Sequence, residues 1–260
     1  MPEIRNHARE RLERGEVCIG GNAHLSRAPE IGRIYQACGF DYLYIDLEHS
    51  AHTVDSAGDL CLAALDQGIT PIVRVGTHNG HMINRVICNG ALGVVVPHVE
   101  SAEQAEHIVQ NVKFSPDGKA SVPAFFLHFR HFPVDKETAA RELNAKTLVI
   151  PMIESLKGVE NAEAIAAVPG VDVLFIGGSD LTFDMGLNGQ YGHPDVKAAC
   201  QKVIDACRKH GKHPGLGGPG DEDLLAEYVR MGMRYMSGAN DVNLLVAGAT
   251  AKAKFWRGIL

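Results

Sequence analysis

Short apolar, β-branched runs recur along the chain, and between them the apolar residues switch to helical spacing. Runs at 17–20, 42–46 (YLYID), 71–75 (PIVRV) and 92–96 (LGVVV) read as strands. So do those at 147–154 (TLVIPMIE), 171–180 (VDVLFIGGSD), 212–216 (KHPGL) and 235–238. Runs of this length, bounded by Gly, Pro and polar residues, fit strands buried on both faces, as in a parallel sheet. The intervening segments put their apolar residues on one helical face. Ile31, Ile34, Tyr35 and Cys38 make such a face, ended by Gly39. Val54, Ala57, Cys61 and Ala64 make another, between a Thr53 cap and a Gly68 stop. Met82, Ile83, Val86 and Ile87 lead to Gly90, and Ala105, Ile108, Val109 and Val112 follow a capping box of Ser101 and Gln104. Helices are also expected over the charged opening (MPEIRNHARERLERG), from 194 to 210, and from 242 to 256.

Eight strands alternating with helices predict an α/β fold, a (β/α)8 TIM barrel, with residues 1–260 forming a single domain. A doubly wound open sheet would carry a glycine-rich fingerprint after its first strand, and Gly20-Gly21-Asn22-Ala23 does not supply one. The alternation pauses over 114–146, which includes FFLHFRHFP (125–133). A connection this long reads as functional or as a contact surface.

The bulk numbers narrow the function classes. A length of 260 residues suits one barrel, and 45% apolar with 22% charged residues is ordinary for a soluble globular chain. A formal charge of −6 gives no basic bias, so nucleic acid is not an expected partner. The charged opening is no signal peptide, and no apolar run reaches the length of a membrane span. The cysteines form no CxxC pair, and Cys200 and Cys207 stand too far apart on one helix to bridge, so a reducing cytoplasm is expected. His78/His81 and His128/His131 lack a zinc-site spacing and are expected at the surface or in loops.

The chemistry is concentrated at the strand ends, which in a parallel barrel meet at one mouth. Two runs end in carboxylates, Glu154 and Asp180. Each could cap the helix that follows. Facing one another, they would repel unless a hard divalent cation lay between them, and the company they keep favours that reading. Arg74 interrupts PIVRV, and a buried guanidinium needs a partner. It either pairs with Asp46 or Glu48, or is aimed at a substrate oxyanion. His49 either sits quietly at a helix start or transfers protons near neutral pH. Gly178, Ser179 and Asp180 open a short helix whose backbone N–H groups could hold a substrate carboxylate.

The segments GFDYLYIDLEHSAHTVD, PIVRV, GALGVVVPHVESAEQA, PMIES and FIGGSDLTFDMG, in this order and spacing, resemble the HpcH/HpaI family of class II pyruvate aldolases. The resemblance covers most of the chain, from about Gly20 through the last helix, and implies a phosphoenolpyruvate/pyruvate-binding type of barrel. It assigns Glu154 and Asp180 to a divalent metal (Mg, Mn or Co), with no organic cofactor. By the same resemblance His49 is the base and Arg74 stabilises the developing enolate. The implied reaction is reversible cleavage of a 4-hydroxy-2-oxo acid to pyruvate, or a related 2-oxo acid, and an aldehyde. Alternatives are 2-oxo diacid decarboxylation, acyl-CoA cleavage, or a catalytically weakened oxo-acid-binding relative. The chain departs from the family pattern at four places. The arginine common in the loop after the fourth helix has no clear counterpart near Lys119-Ala120, and Asn22 stands where an aromatic is common after the first strand. The other two departures fall on Asn89 and Met152. Asn89 stands where the family has an Asp that supports the histidine, and Met152 where it has a substrate-contacting Gln. The resemblance also implies a trimer or hexamer whose neighbours complete the site and exchange the last helix.

Overall fold

The computed structural model describes residues 3–259. Its strands are β1 (Cys18–Ala23), β2 (Tyr42–Asp46), β3 (Thr70–Arg74), β4 (Gly93–Val96), β5 (Leu148–Ile153), β6 (Val173–Gly177), β7 (His213–Gly217) and β8 (Tyr235–Asn240). Each pairs in parallel with the next, and β8 pairs with β1, closing the expected (β/α)8 barrel in sequence order. Strand ends differ in places from the apolar runs. β1 continues to Ala23 because its pairing with β2 runs on to Ile45, which puts Asn22 inside the strand.

Successive strand residues point to opposite sides, and that parity separates two apolar cores. Leu43, Ile45, Val73, Val94, Val149, Leu174 and Ile176 pack outward under the helices. Tyr42, Tyr44, Ile72, Val95, Ile150, Met152, Phe175 and Tyr235 fill the barrel interior. Tyr42 and Tyr235 stack with ring centroids 4.6 Å apart, and Phe175 meets Tyr235 edge-on at 5.3 Å. The Tyr42 ring lies across Gly20, where a Cβ would come within 2.0 Å of it, so β1 needs a glycine there. The first helix, His7–Glu13, adds Ala8 and Leu12 to this interior core. Its cap, Asn6, donates to the carbonyls of Leu92 and Lys146, fastening it over the end where strands begin. One end of the barrel is thereby plugged, and the other is left for chemistry.

The helix Val54–Gln67 has the expected limits, with a reciprocal Thr53–Ser56 capping box and Gly68 at φ 75°. The box expected at Ser101 forms only in part. Ser101 accepts from the Gln104 N–H, but the Gln104 side chain takes the N–H of Glu100 instead of that of Ser101. The 114–146 stretch contains a turn at Leu127–Phe129 and the helix Lys136–Lys146. His128 lies in that turn, so of the two places expected for it, surface or loop, the loop holds and the surface does not. It is buried, with Nε2 3.1 Å from the Ala91 carbonyl, because the turn folds in over the start of β4. The six cysteines are all free thiols, as expected.

Candidate active site at the strand carboxyl ends

A cavity of about 340 Å3 opens where the strands end. His49, Arg74, Met152, Gly178, Ser179 and Asp180, six of the expected site residues, all line it. Asn22, which stands where the family has an aromatic, and Ser237 add polar groups from β1 and β8, and of the two only Ser237 was not foreseen. Tyr44, Met152 and Phe175 come from the aromatic-rich interior core and form an apolar part of the wall.

Asp46 organises one side. It is paired in register with Arg74 across β2 and β3 and binds it at two points, Nε to Oδ1 at 2.9 Å and Nη2 to Oδ2 at 2.6 Å. Its Oδ1 also accepts the N–H of Glu48 at 2.9 Å, which turns the chain into the His49 segment. Arg74 Nη1 makes a further ion pair with Glu48 Oε2 at 3.1 Å. Both partners weighed for the buried arginine are therefore used, and the guanidinium still borders the cavity. Burial works against its charge, but Tyr44, Asp46 and Glu48 outweigh that and hold it above the usual arginine range. Burial likewise pushes the Asp46 carboxyl up, but the hydrogen bonds and charge of Arg74 win and keep it below the ordinary value. A fixed, permanently charged donor results. His49 stands at the rim with its imidazole exposed.

Glu154 follows directly from β5 and is buried. Its Oε2 accepts the N–H of His98 at 2.8 Å, and His98 Nδ1 lies 3.3 Å from the same oxygen. Oε1 accepts no hydrogen bond among the described residues and packs against Gly177, where a Cβ would fall 2.5 Å away. Burial, with repulsion from Asp180 and Glu48, outweighs His98 and pushes the Glu154 carboxyl up to about 7. Asp180 sits in the first turn of the helix Gly178–Asp184, close enough to contribute to that push.

The donor set suits a hard cation: carboxylate oxygens, one of them free of hydrogen bonds and seated against Gly177, where a Cβ would displace it. No cluster of three or more His, Cys, Asp or Glu poised for a metal occurs among the described residues, so further ligands would be water or substrate oxygens. Asn89 is not brought to the site within one chain. It ends the helix Gly80–Cys88, donates to the Arg85 carbonyl and packs on Gly58, toward the end where β4 begins. His49 stands at the opposite end, after β2, so the amide cannot support that imidazole within the same chain.

Strand-end reasoning passed over His98. His98 follows β4 directly after Pro97, so the rule applied to the other strands would have found it.

The family model described as HpcH/HpaI aldolase/citrate lyase matches residues 25–246. The 4-hydroxy-4-methyl-2-oxoglutarate aldolase of Hapsidospora irregularis is 35% identical over 254 residues, covering 96% of this chain and 94% of that protein. The hydroxypyruvate/pyruvate aldolase of Roseobacter denitrificans is 30% identical over 257 residues, 99% of each. The crystal structure of an HpcH/HpaI aldolase from Desulfitobacterium hafniense superposes with a TM-score of 0.91 at 29% identity, covering 97% of both chains. Barrel, mouth and sequence agree, and the chain belongs to the HpcH/HpaI aldolase/citrate lyase family.

Proposed function

We propose that this protein is a divalent-metal-dependent aldolase that reversibly cleaves a 4-hydroxy-2-oxo acid to pyruvate, or a related 2-oxo acid, and an aldehyde. The observation that carries the reading is the convergence of Arg74, His49 and Asp180 on one cavity, with the buried Glu154 behind Gly177 at its edge. The relatives' names, aldolases of hydroxylated oxo acids, point the same way.

Glu154 and Asp180 would hold the ion, which when bound supplies Lewis-acid polarisation of the 2-oxo group. Arg74, locked by Asp46, holds the substrate's negatively charged oxygens and is already in place when charge builds on the 2-oxo oxygen. The Gly178-Ser179-Asp180 turn borders the same space and orients the carboxylate. His49 takes the proton from the 4-hydroxyl, the C3–C4 bond breaks, and the aldehyde leaves through the open rim. The pyruvate enolate then takes at C3 the proton that His49 removed, which restores the base. Met152 leaves an apolar surface where a glutamine would have donated a hydrogen bond, so orientation rests more heavily on Arg74.

Magnesium, manganese and cobalt are the candidate ions, and a cytoplasmic setting fits the free thiols. The last helix, Asp241–Arg257, buries none of its side chains and exposes Leu244, Leu245, Val246, Phe255 and Trp256. An apolar surface of that extent supports a trimer or hexamer in which this helix packs on a neighbour. The neighbour could then bring its own Asn89 toward the site.

The test is turnover of pyruvate with a panel of aldehydes in added Mg, Mn or Co. Glu154→Gln and Asp180→Asn should each abolish metal-dependent turnover while the circular dichroism of the barrel is unchanged. Full activity in either variant would refute the assignment.

A further inference from the structure

His98 is the residue that neither the strand-end pattern nor the proposed mechanism uses. Three features single it out. Its backbone is left-handed, at φ 53°, a conformation uncommon for any residue but glycine. Its N–H donates to Glu154 Oε2 at 2.8 Å, and its Nδ1 lies 3.3 Å from that same oxygen. Its Nε2 lies 3.7 Å from Oε1 of Glu48, the carboxylate that also faces Arg74. The loop carrying it is fixed: the Val99 N–H donates to the Met152 carbonyl at 3.0 Å, carrying the β4–β5 pairing one step past the strand. The left-handed turn between β4 and Val99 is what sends N–H and imidazole to the same side.

Two nitrogens of one residue thus converge on one oxygen of Glu154, and the other oxygen is left facing Gly177 and the end of β6. A carboxylate held in this way cannot exchange its oxygens freely. We propose that His98 is a positioning residue: it fixes Glu154 by Oε2, through its N–H and Nδ1, so that Oε1 alone is presented to a divalent cation. This rests on the reading of Glu154 as a metal ligand. Groups that orient a ligand in this way typically change metal affinity 10–100-fold when removed. The Nδ1 contact, and not the Nε2 contact with Glu48, carries the effect, because only Nδ1 reaches the ligand itself.

The experiment measures Mn2+ affinity of the purified, metal-stripped protein by calorimetry and by the loss of the free Mn2+ resonance. His98→Gly keeps the N–H and tolerates the left-handed backbone but deletes both ring nitrogens. His98→Asn also tolerates that backbone and places an amide nitrogen near the position of Nδ1, without reaching Glu48. His98→Gly should weaken Mn2+ binding by about 10–100-fold. His98→Asn should stay within about threefold of the parent, since it retains the donor that the outer-shell role requires. Unchanged affinity in His98→Gly overturns the proposal, as does equal weakening in both variants. Glu154→Gln, measured alongside, tests the underlying reading separately. If it binds Mn2+ as the parent does, or if the parent binds none, both the ligand assignment and the role of His98 fall. If Glu154→Gln fails to bind while His98→Gly binds normally, only the role of His98 falls.

Discussion

Arg74 and Asp46 face each other across β2 and β3 and join at two points, 2.9 and 2.6 Å, with Asp46 only 3% exposed. Removing one member of such a pair strands the other charge in the interior. Arg74→Ala should therefore cost about 3 kcal/mol of stability as well as activity. The combined variant Arg74→Met/Asp46→Asn/Glu48→Gln removes the guanidinium and both acids paired with it and should recover most of that stability while remaining inactive. Urea midpoints and kcat/KM on the same preparations separate the two effects. Equal stability of the single and combined variants would show that these ion pairs are not what holds this side of the barrel.

Gly177 makes a sharper prediction about the ion. A Cβ at this position would lie 2.5 Å from Glu154 Oε1 and 2.7 Å from both Glu154 Cγ and Met152 Cε. Gly177→Ala must therefore displace the Glu154 carboxylate, while the barrel has ample pairing elsewhere to stay closed. Mn2+ affinity should fall by about tenfold or more, the scale expected when a ligand is misplaced. Calorimetric titration decides it, and an unchanged affinity would mean that Oε1 is not the oxygen presented to the metal.

The order of elements was legible in the sequence because parallel strands buried on both faces leave continuous apolar runs, and Glu154 and Asp180 show as abrupt ends to two of them. What could not be read was anything set by contacts between distant segments. Arg74 could be paired with Asp46, with Glu48 or with substrate. Only the register of β2 against β3 shows that it meets both acids and still borders the cavity. Asn89 looked like a partner for His49 by family pattern, yet the helix it ends carries it toward the opposite end of the barrel. His98 was hidden because its role depends on a left-handed turn, which one histidine in a polar loop does not advertise. His128, lacking a zinc-site spacing, reads as a surface or loop residue; it does lie in a turn, but the inward fold of that turn buries it beside Phe129.

The helix Asp241–Arg257 predicts assembly. It is fastened at its start, where Asp241 accepts the N–H groups of His24, Leu25 and Ser26, and exposes its apolar residues beyond that point. Leu245→Asp and Trp256→Asp should convert the native oligomer to smaller species in sedimentation equilibrium without unfolding the barrel. If neighbours complete the active site, turnover should fall in parallel. A parent protein that sediments as a monomer would remove the case for a composite site.

His128 sets a pH dependence of stability that is independent of the active site. Burial pushes this imidazole down from its ordinary 6.5 to about 4, against the opposing help of the Ala91 carbonyl. The folded state thus favours the neutral ring, whereas the unfolded chain protonates it at the ordinary value. The stability at stake is fully present above pH 6.5 and is lost as pH falls toward 4. A shift of this size corresponds to about 3 kcal/mol across the window. His128→Gln can keep a donor near the Ala91 carbonyl without a titrating ring. It should be somewhat less stable than the parent at pH 7.5 and should close or reverse that gap by pH 4.5. Other ionisable groups titrate alike in both proteins, so the difference between their unfolding free energies isolates this one residue. A difference that stays constant from pH 7.5 to 4.5 would mean that His128 is already charged, or already solvated, in the folded state.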